Sequence, residues 1–315
     1  MKKRSLISII ISGAFGFVVL YNRISNFLST MRVDMPMKNA HYYQWRFGNI
    51  YYSKQGKGKP LLLIHELSPS SSGEEWSEVL HALTNDHTVY VIDLPGCGRS
   101  DKPDVLYTQF LYDQMLAEFI REVIREETDI VATGYSYPIA VMTKRLDPTC
   151  IRKIIGINPT PPERTALKPR LLNKLHCILL QTPIVGTFIY NLFHSKAFIT
   201  RDLVDYAFYR PDKLKPETVD LYYRFAHYDH KQNRCLFASM LNHYMNLDIR
   251  KAVSEMDQTF IIVGSDDPQI DHMMRSYEKY ANELKTEIVD ETAHLPQLER
   301  PFLLNLAIRK MLVAE

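Results

Sequence analysis

Three residues of types that together cleave acyl bonds, Ser136, Asp267 and His294, each follow a short apolar run ending in a turn. Ser136 follows "DIVATGY", Asp267 follows "TFIIVGSD" and His294 follows "TEIVDETA". A hydroxyl at its ordinary pKa is a poor nucleophile, so it needs an imidazole to take its proton. The imidazole needs a carboxylate to fix its tautomer and stabilise its cation. Asp266 adjoins Asp267, and the residues alone leave the choice between them open. Ile130-Val131-Ala132 before the serine is β-branched and apolar, as in a strand. After Pro138, apolar Ile139, Met142 and Leu146 recur at helical spacing. A serine at such a corner also serves as a helix cap, and the abrupt change from strand to helix favours the nucleophile.

The elements that would position these groups alternate. "PLLLI" (60–64), "HTVYVID" (87–93), the run before Ser136, "KIIGINP" (153–159), "TFIIVG" (259–264) and "TEIVD" (286–290) read as strands separated by amphipathic helices. That alternation predicts a mostly parallel sheet covered on both faces, with the carboxyl ends of its strands opening onto one edge. Gln44 to Ser53 reads as one further strand, followed by a turn at Gln55 to Gly58, and a helix is expected from about Gln109 to Glu127. From about Thr160 to Arg250 helical patterns rich in Tyr, Phe and Leu interrupt the alternation, which predicts a helical cap over the strand ends. Within it "KLHCILLQTPIVGTFIYNLF" (174–193) is too apolar for an all-round solvated helix. It is expected to pack on the catalytic body, or alternatively to line an acyl pocket with part of its length and face the membrane. The expected organisation is an N-terminal anchor and flank over 1–30, core over 40–160, cap over 161–250 and core again over 251–315.

Composition narrows the function classes. The chain has 315 residues, 46% hydrophobic, and a formal charge of +2. Its Lys and Arg are scattered, which excludes a concentrated nucleic-acid face. Cys97, Cys150, Cys177 and Cys235 have neither CxxC nor metal-ligand spacing, so no metal and no required disulfide are expected. Met1-Lys2-Lys3-Arg4 precedes an uncharged apolar run from Leu6 to Tyr21, followed by a polar linker from Val33 to Asn39. The run is near the lower length limit for a bilayer span. With no small-residue cleavage site after it, it reads as an uncleaved single-pass transmembrane anchor in the cell membrane. The basic cluster ahead of it would leave the N-terminus inside and the catalytic body outside.

Four stretches, "LLLIHEL" (61–67), "VYVIDLPGCGRSDKP" (89–103), "TGYSYP" (133–138) and "AHLPQLERP" (293–301), resemble the α/β-hydrolase superfamily. The resemblance spans about Gln44 to Val313 and is nearest to the membrane-anchored, capped hydrolases of Gram-positive bacteria. It implies the α/β-hydrolase fold, with Ser136 as nucleophile, His294 as base and Asp267, by the Gly-x-x-Asp spacing from Gly264, as acid. It also implies an oxyanion hole of the Leu67 and Tyr137 backbone N–H groups and no cofactor. His65 reads as structural, and Asp93 as a loop organiser. Two positions depart from the family pattern. Glu66 stands where the family carries glycine, and its charge would oppose an oxyanion if it pointed inward. Pro138 occupies the place taken as the second glycine of the elbow, where a first helical turn accommodates it. The expected function is a serine hydrolase cleaving an apolar ester or related acyl substrate through an acyl-enzyme. A serine nucleophile argues against epoxide and haloalkane chemistry, which uses Asp at the corner. The alternative is a non-catalytic binding or membrane-assembly protein on the same fold.

Overall fold

The computed structural model describes residues 2–30, 40–228 and 233–314, so the linker expected over 33–39 lies outside the described residues. Eight strands form one sheet: β1 (Ala40–Trp45), β2 (Gly48–Gly56), β3 (Lys59–Ile64), β4 (His87–Ile92), β5 (Thr128–Thr133), β6 (Ile151–Ile157), β7 (Thr259–Gly264) and β8 (Leu284–Val289). Their order is β1-β2-β4-β3-β5-β6-β7-β8, with β2 antiparallel to both neighbours and β3 to β8 parallel.

The period-2 pleat divides each central strand between two cores. Leu62 and Ile64 of β3 join Ile92, Ile130 and Ala132 on one face, where α3 (Gln109–Phe119) and α4 (Ser136–Leu146) pack. Leu61 and Leu63 join Val89, Val91 and Val131 on the other, beneath α2 (Ser77–Leu83) and the C-terminal helix (Pro301–Val313). Burial on both faces is why these strands read as unbroken apolar runs.

Two expectations are corrected. The stretch read as one strand from Gln44 is the tip of a hairpin, turned at Arg46-Phe47. Gly48 follows at φ +137°, a conformation that favours glycine. The helix expected through Glu127 ends at Phe119, continues as a wider turn over Ile120–Ile124, and stops at Arg125 with φ +64°.

Between β6 and β7 the described residues form helices and the loops that join them, without a strand. They comprise α5 (Pro162–Thr165), α6 (Leu171–Gln181), α7 (Val185–Phe193), α8 (Lys196–Asp202), α9 (Pro216–His227), α10 (Asn233–Leu241) and α11 (Arg250–Ser254). The N-terminal helix α1 (Lys2–Thr30) leans on this cap. Asn22 donates to the Ile184 carbonyl (3.0 Å) and accepts from Asn191 (3.1 Å), and Tyr21 meets Phe188 edge-on at 5.2 Å. Among the described residues no single helix is long and apolar enough to cross a membrane, whereas α6 and α7 satisfy the measure jointly across a 93° bend.

Candidate active site

The strand ends bring four loops together. β3 runs into His65-Glu66, β5 into Gly134, β7 into Asp267, and β8 through a loop to His294. Register determines which residues meet. Ile64 pairs with Ala132, so two residues further along each strand stand Glu66 and Gly134. These two, rather than Ser136, form the centre of the site.

Gly134 turns the chain from β5 towards α4 at φ +52°. That left-handed corner is where an α/β-hydrolase elbow carries its nucleophile, and the N–H after it serves as an oxyanion donor. Here the donor is Tyr135. The small residues flanking the corner are Ala132 and Ser136, so Ser136 occupies the place expected of the second glycine, and Pro138 lies beyond the motif inside the first turn of α4. Its missing N–H would have had no partner within the helix.

Ser136 is 0% exposed, and its hydroxyl donates to the His65 carbonyl at 2.5 Å. The Tyr137 N–H points back to the Gly134 carbonyl (3.3 Å), closing the turn rather than facing the cleft. The assignments of Ser136 as nucleophile and Tyr137 as oxyanion donor are therefore corrected. The corner is two residues earlier, because the short apolar strand ends at Thr133 and only glycine takes the turn without strain. Leu67 is buried next to Glu66.

The space beside the corner is filled by the Glu66 carboxylate. Oε1 accepts from the Tyr135 N–H at 3.0 Å, and Oε2 lies 3.0 Å from His294 Nε2. A Cβ built on Gly134 would fall 1.5 Å from Oε2, so the carboxylate stands where a corner side chain would project. His294 Nδ1 lies 2.9 Å from Asp267 Oδ2, and the other Asp267 oxygen accepts from the Gln269 N–H at 2.7 Å. Asp267 is buried, whereas Asp266 is exposed and binds Ser265. Desolvation alone would lower the His294 pKa. The hydrogen bonds and charges of Asp267 and Glu66 outweigh it and push it up to about 10. His294 is thus an imidazolium between two carboxylates.

Glu66 is clamped from several sides. Its N–H donates to Glu75 Oε2 (3.3 Å), and its carbonyl accepts from His65 Nδ1 (2.6 Å). His65 Nε2 accepts from the Leu94 N–H (3.0 Å), which fixes the neutral tautomer and makes His65 structural, as read from sequence. Ser136 completes the clamp on the His65 carbonyl as a positioning residue. Burial raises the Glu75 carboxyl pKa, and Tyr222 of the cap (2.9 Å) and Gln297 (3.4 Å) also bond to it. Asp93 accepts from the Gly73 (2.6 Å) and Arg99 (2.7 Å) N–H groups, the loop-organising role expected. Burial pushes the Cys97 thiol up, away from reactivity. Glu66, Tyr135 and Glu75 are the members missed as reactive or supporting groups. The signal for the first two was present: Ala132-x-Gly134-x-Ser136 is itself small-x-corner-x-small.

A cleft of about 380 Å³ separates this cluster from the cap, lined by Glu66, Tyr135 and His294 below and Phe198, Leu203 and Met240 above. Among the described residues no group of His, Cys, Asp and Glu has the arrangement of a metal site.

This fold and strand-end site are those of the α/β-hydrolases, and the family model described as "Alpha/beta hydrolase family" matches residues 61–305. The chain belongs to that family. It is 35% identical over 71 residues to 2-hydroxy-6-oxo-6-(2'-aminophenyl)hexa-2,4-dienoic acid hydrolase of Metapseudomonas resinovorans, covering 22% of this chain and 24% of that protein. It is 27% identical over 173 residues to cis-3-alkyl-4-alkyloxetan-2-one decarboxylase of Shewanella oneidensis, covering 52% of each. The chain thus spans between about a quarter and half the length of these curated relatives. Among solved structures, carboxylesterase CesB from Bacillus subtilis superposes with a TM-score of 0.68 at 14% identity, covering 94% of this chain and 98% of that one, a likeness of fold.

Proposed function

We propose that the protein is a hydrolase whose reacting groups are the Glu66 carboxylate and the His294–Asp267 pair, in place of a serine triad. One observation carries this reading: one Glu66 oxygen occupies the His294 ring nitrogen, which would take a serine's proton, and the other occupies the corner N–H, which would hold the substrate's oxyanion. The pair holds both partners a hydrolysis needs, a carboxylate to attack or to activate water and an imidazolium to protonate the leaving group. The cleft is mostly apolar, which suits an uncharged substrate with an alkyl or acyl chain. Relatives named for a dienoic acid hydrolase and for a four-membered oxetanone ring support chemistry at a carbon bonded to oxygen or carbonyl. With no serine at the corner, the argument drawn from it against epoxide and haloalkane chemistry falls away. No cofactor enters the scheme.

We place the protein at a membrane. Leu171, Leu172, Leu175 and Ile178 are exposed on α6, and exposed Arg170 and Lys174 flank them. Together they form an apolar face bordered by cations, suited to a lipid interface.

The test is turnover of p-nitrophenyl octanoate and 1,2-epoxydecane by the full chain. Glu66→Gln and His294→Gln should each lose at least about a hundredfold. Ser136→Ala should stay within about tenfold of wild type, because it only props the loop. Wild type should resist fluorophosphonate labelling. Labelling at Ser136 would refute the reading. A wild type inert on both substrates would favour the alternative of a non-catalytic binding protein, to which the missing corner nucleophile also points.

A further inference from the structure

We propose that the cavity between α1 and the cap is a second binding site, which takes a single-chain amphiphile with a carboxylate head, a fatty acid. The cavity shares no lining residue with the cleft, so the proposal does not depend on the reaction at Glu66.

The cavity holds about 730 Å³, within the range that admits a drug-sized ligand. Its α1 wall follows from helical spacing. Tyr21, Ile24, Ser25 and Leu28 recur three and four residues apart, so they stand on one face of the helix. At a rise of about 1.5 Å per residue that face runs about 10 Å along α1. Asn22 and Tyr21 tie the helix to α7 and to the turn before it. Ile24 and Leu28 nevertheless stay 49% and 56% exposed while lining a concave space. Apolar side chains left open inside a cavity mark where a further apolar group is buried. An alkyl chain laid along α1 covers both.

The opposite wall, from α8 and α9, supplies the charge. Lys196 and Arg224 are its cations and Asp220 is its anion, which leaves one positive charge over, the complement of a monoanion. Lys196 donates to the Asp220 carboxylate, and its ammonium lies 5.5 Å from the centre of the Tyr223 ring. Arg224 is less committed. Its Nε donates to the Asp220 carbonyl at 3.3 Å, and among the described residues its two terminal nitrogens have no partner. A guanidinium in that state is a planar fork that matches the two oxygens of a carboxylate. The wall would under-neutralise a phosphate dianion and would repel an ammonium head. The apolar face and the fork together define a ligand with an alkyl tail and a planar, singly charged head.

The experiment titrates the full chain, freed of bound lipid, with dansylaminoundecanoate. The probe is displaced by laurate, dodecanol, dodecyl phosphate or dodecyltrimethylammonium, each below its critical micelle concentration. Laurate should bind at least about tenfold more tightly than the other three, the effect of one charge-assisted hydrogen-bonded pair. Arg224→Gln should remove that preference, and Leu28→Glu should weaken laurate by at least about tenfold through like charge and lost apolar contact. Both positions are at least partly exposed, so both variants should keep the wild-type circular dichroism and unfolding midpoint. Leu241→Glu, which puts a carboxylate in the catalytic cleft, should leave laurate binding unchanged. Loss of binding in Leu241→Glu with full binding in Arg224→Gln would place the ligand in the cleft and overturn the proposal. Equal affinity for dodecanol and laurate, a preference for dodecyl phosphate, or no displaceable probe would overturn it as well.

Discussion

Gly134→Ser would place a hydroxyl at the corner where the family keeps its nucleophile, and the structure says that it cannot simply be added. The new Cβ would fall 1.5 Å from Glu66 Oε2 and 2.5 Å from its Cδ. Relief requires the carboxylate to retreat by about 2 Å or more to reach ordinary contact. That breaks its bonds to Tyr135 and His294, and hydrogen bonds to charged groups are worth about 1.5–3 kcal/mol each. A non-glycine residue at φ +52° adds about 1–2 kcal/mol. Because the displaced carboxylate regains water, the single variant should lose about 3–5 kcal/mol, read from urea unfolding. Adding Glu66→Gly removes the clash and lets the new hydroxyl reach His294, so the double variant should be about 1–3 kcal/mol more stable than the sum of the singles, the usual range for residues in contact. The double variant should also gain fluorophosphonate labelling, which wild type and both singles lack. If Gly134→Ser is as stable as wild type, or if the two changes are additive, the carboxylate does not occupy the corner and the reasoning fails.

The His294 ion pairs make stability depend on pH. A pKa raised from 6.5 to about 10 contributes stability that is fully present below about 6.5 and is lost as pH rises through about 10. The stability gap between wild type and Glu66→Gln should therefore narrow between pH 7 and pH 10.5, and a constant gap would contradict the imidazolium. At the lipid surface, replacing Leu171, Leu172 and Leu175 together with Ser should weaken flotation with anionic vesicles while leaving turnover of soluble p-nitrophenyl acetate within about twofold. Unchanged flotation would remove α6 from the interface.

The fold was legible because its signals are long and redundant. β3, β5 and β7 announce burial on both faces through continuous apolar runs, and no other arrangement of those runs with intervening helices hides them. Asp267 and His294 were legible for a related reason: each follows a strand whose end is unambiguous, so its place at the sheet edge depends on counting only a few residues. The corner was less legible, because Gly134 and Ser136 both lie within it and differ by a shift of two. A shift of two preserves the face of a strand, so hydrophobic patterning cannot detect it. Backbone sterics separate the two frames, since only glycine takes φ +52° freely, and the register of β3 against β5 decides the matter by setting Gly134 beside Glu66.

Glu66 and Gly134 are therefore one feature. Read singly, a charge in place of a glycine looks like damage to an oxyanion hole, and a glycine in place of a nucleophile looks like loss of function. Read across the strand pair they exchange roles. Neighbouring strands lie about 4.8 Å apart, and a side chain arriving from the next strand must cover that gap to reach the site of a corner side chain. Glutamate spans it in one rotamer, with a backbone held at both peptide groups by His65, Glu75 and Ser136. Aspartate, one methylene shorter, would leave Tyr135 or His294 without its partner. The residue that looked most like an obstacle to catalysis is the one that the surrounding hydrogen bonds are arranged to aim.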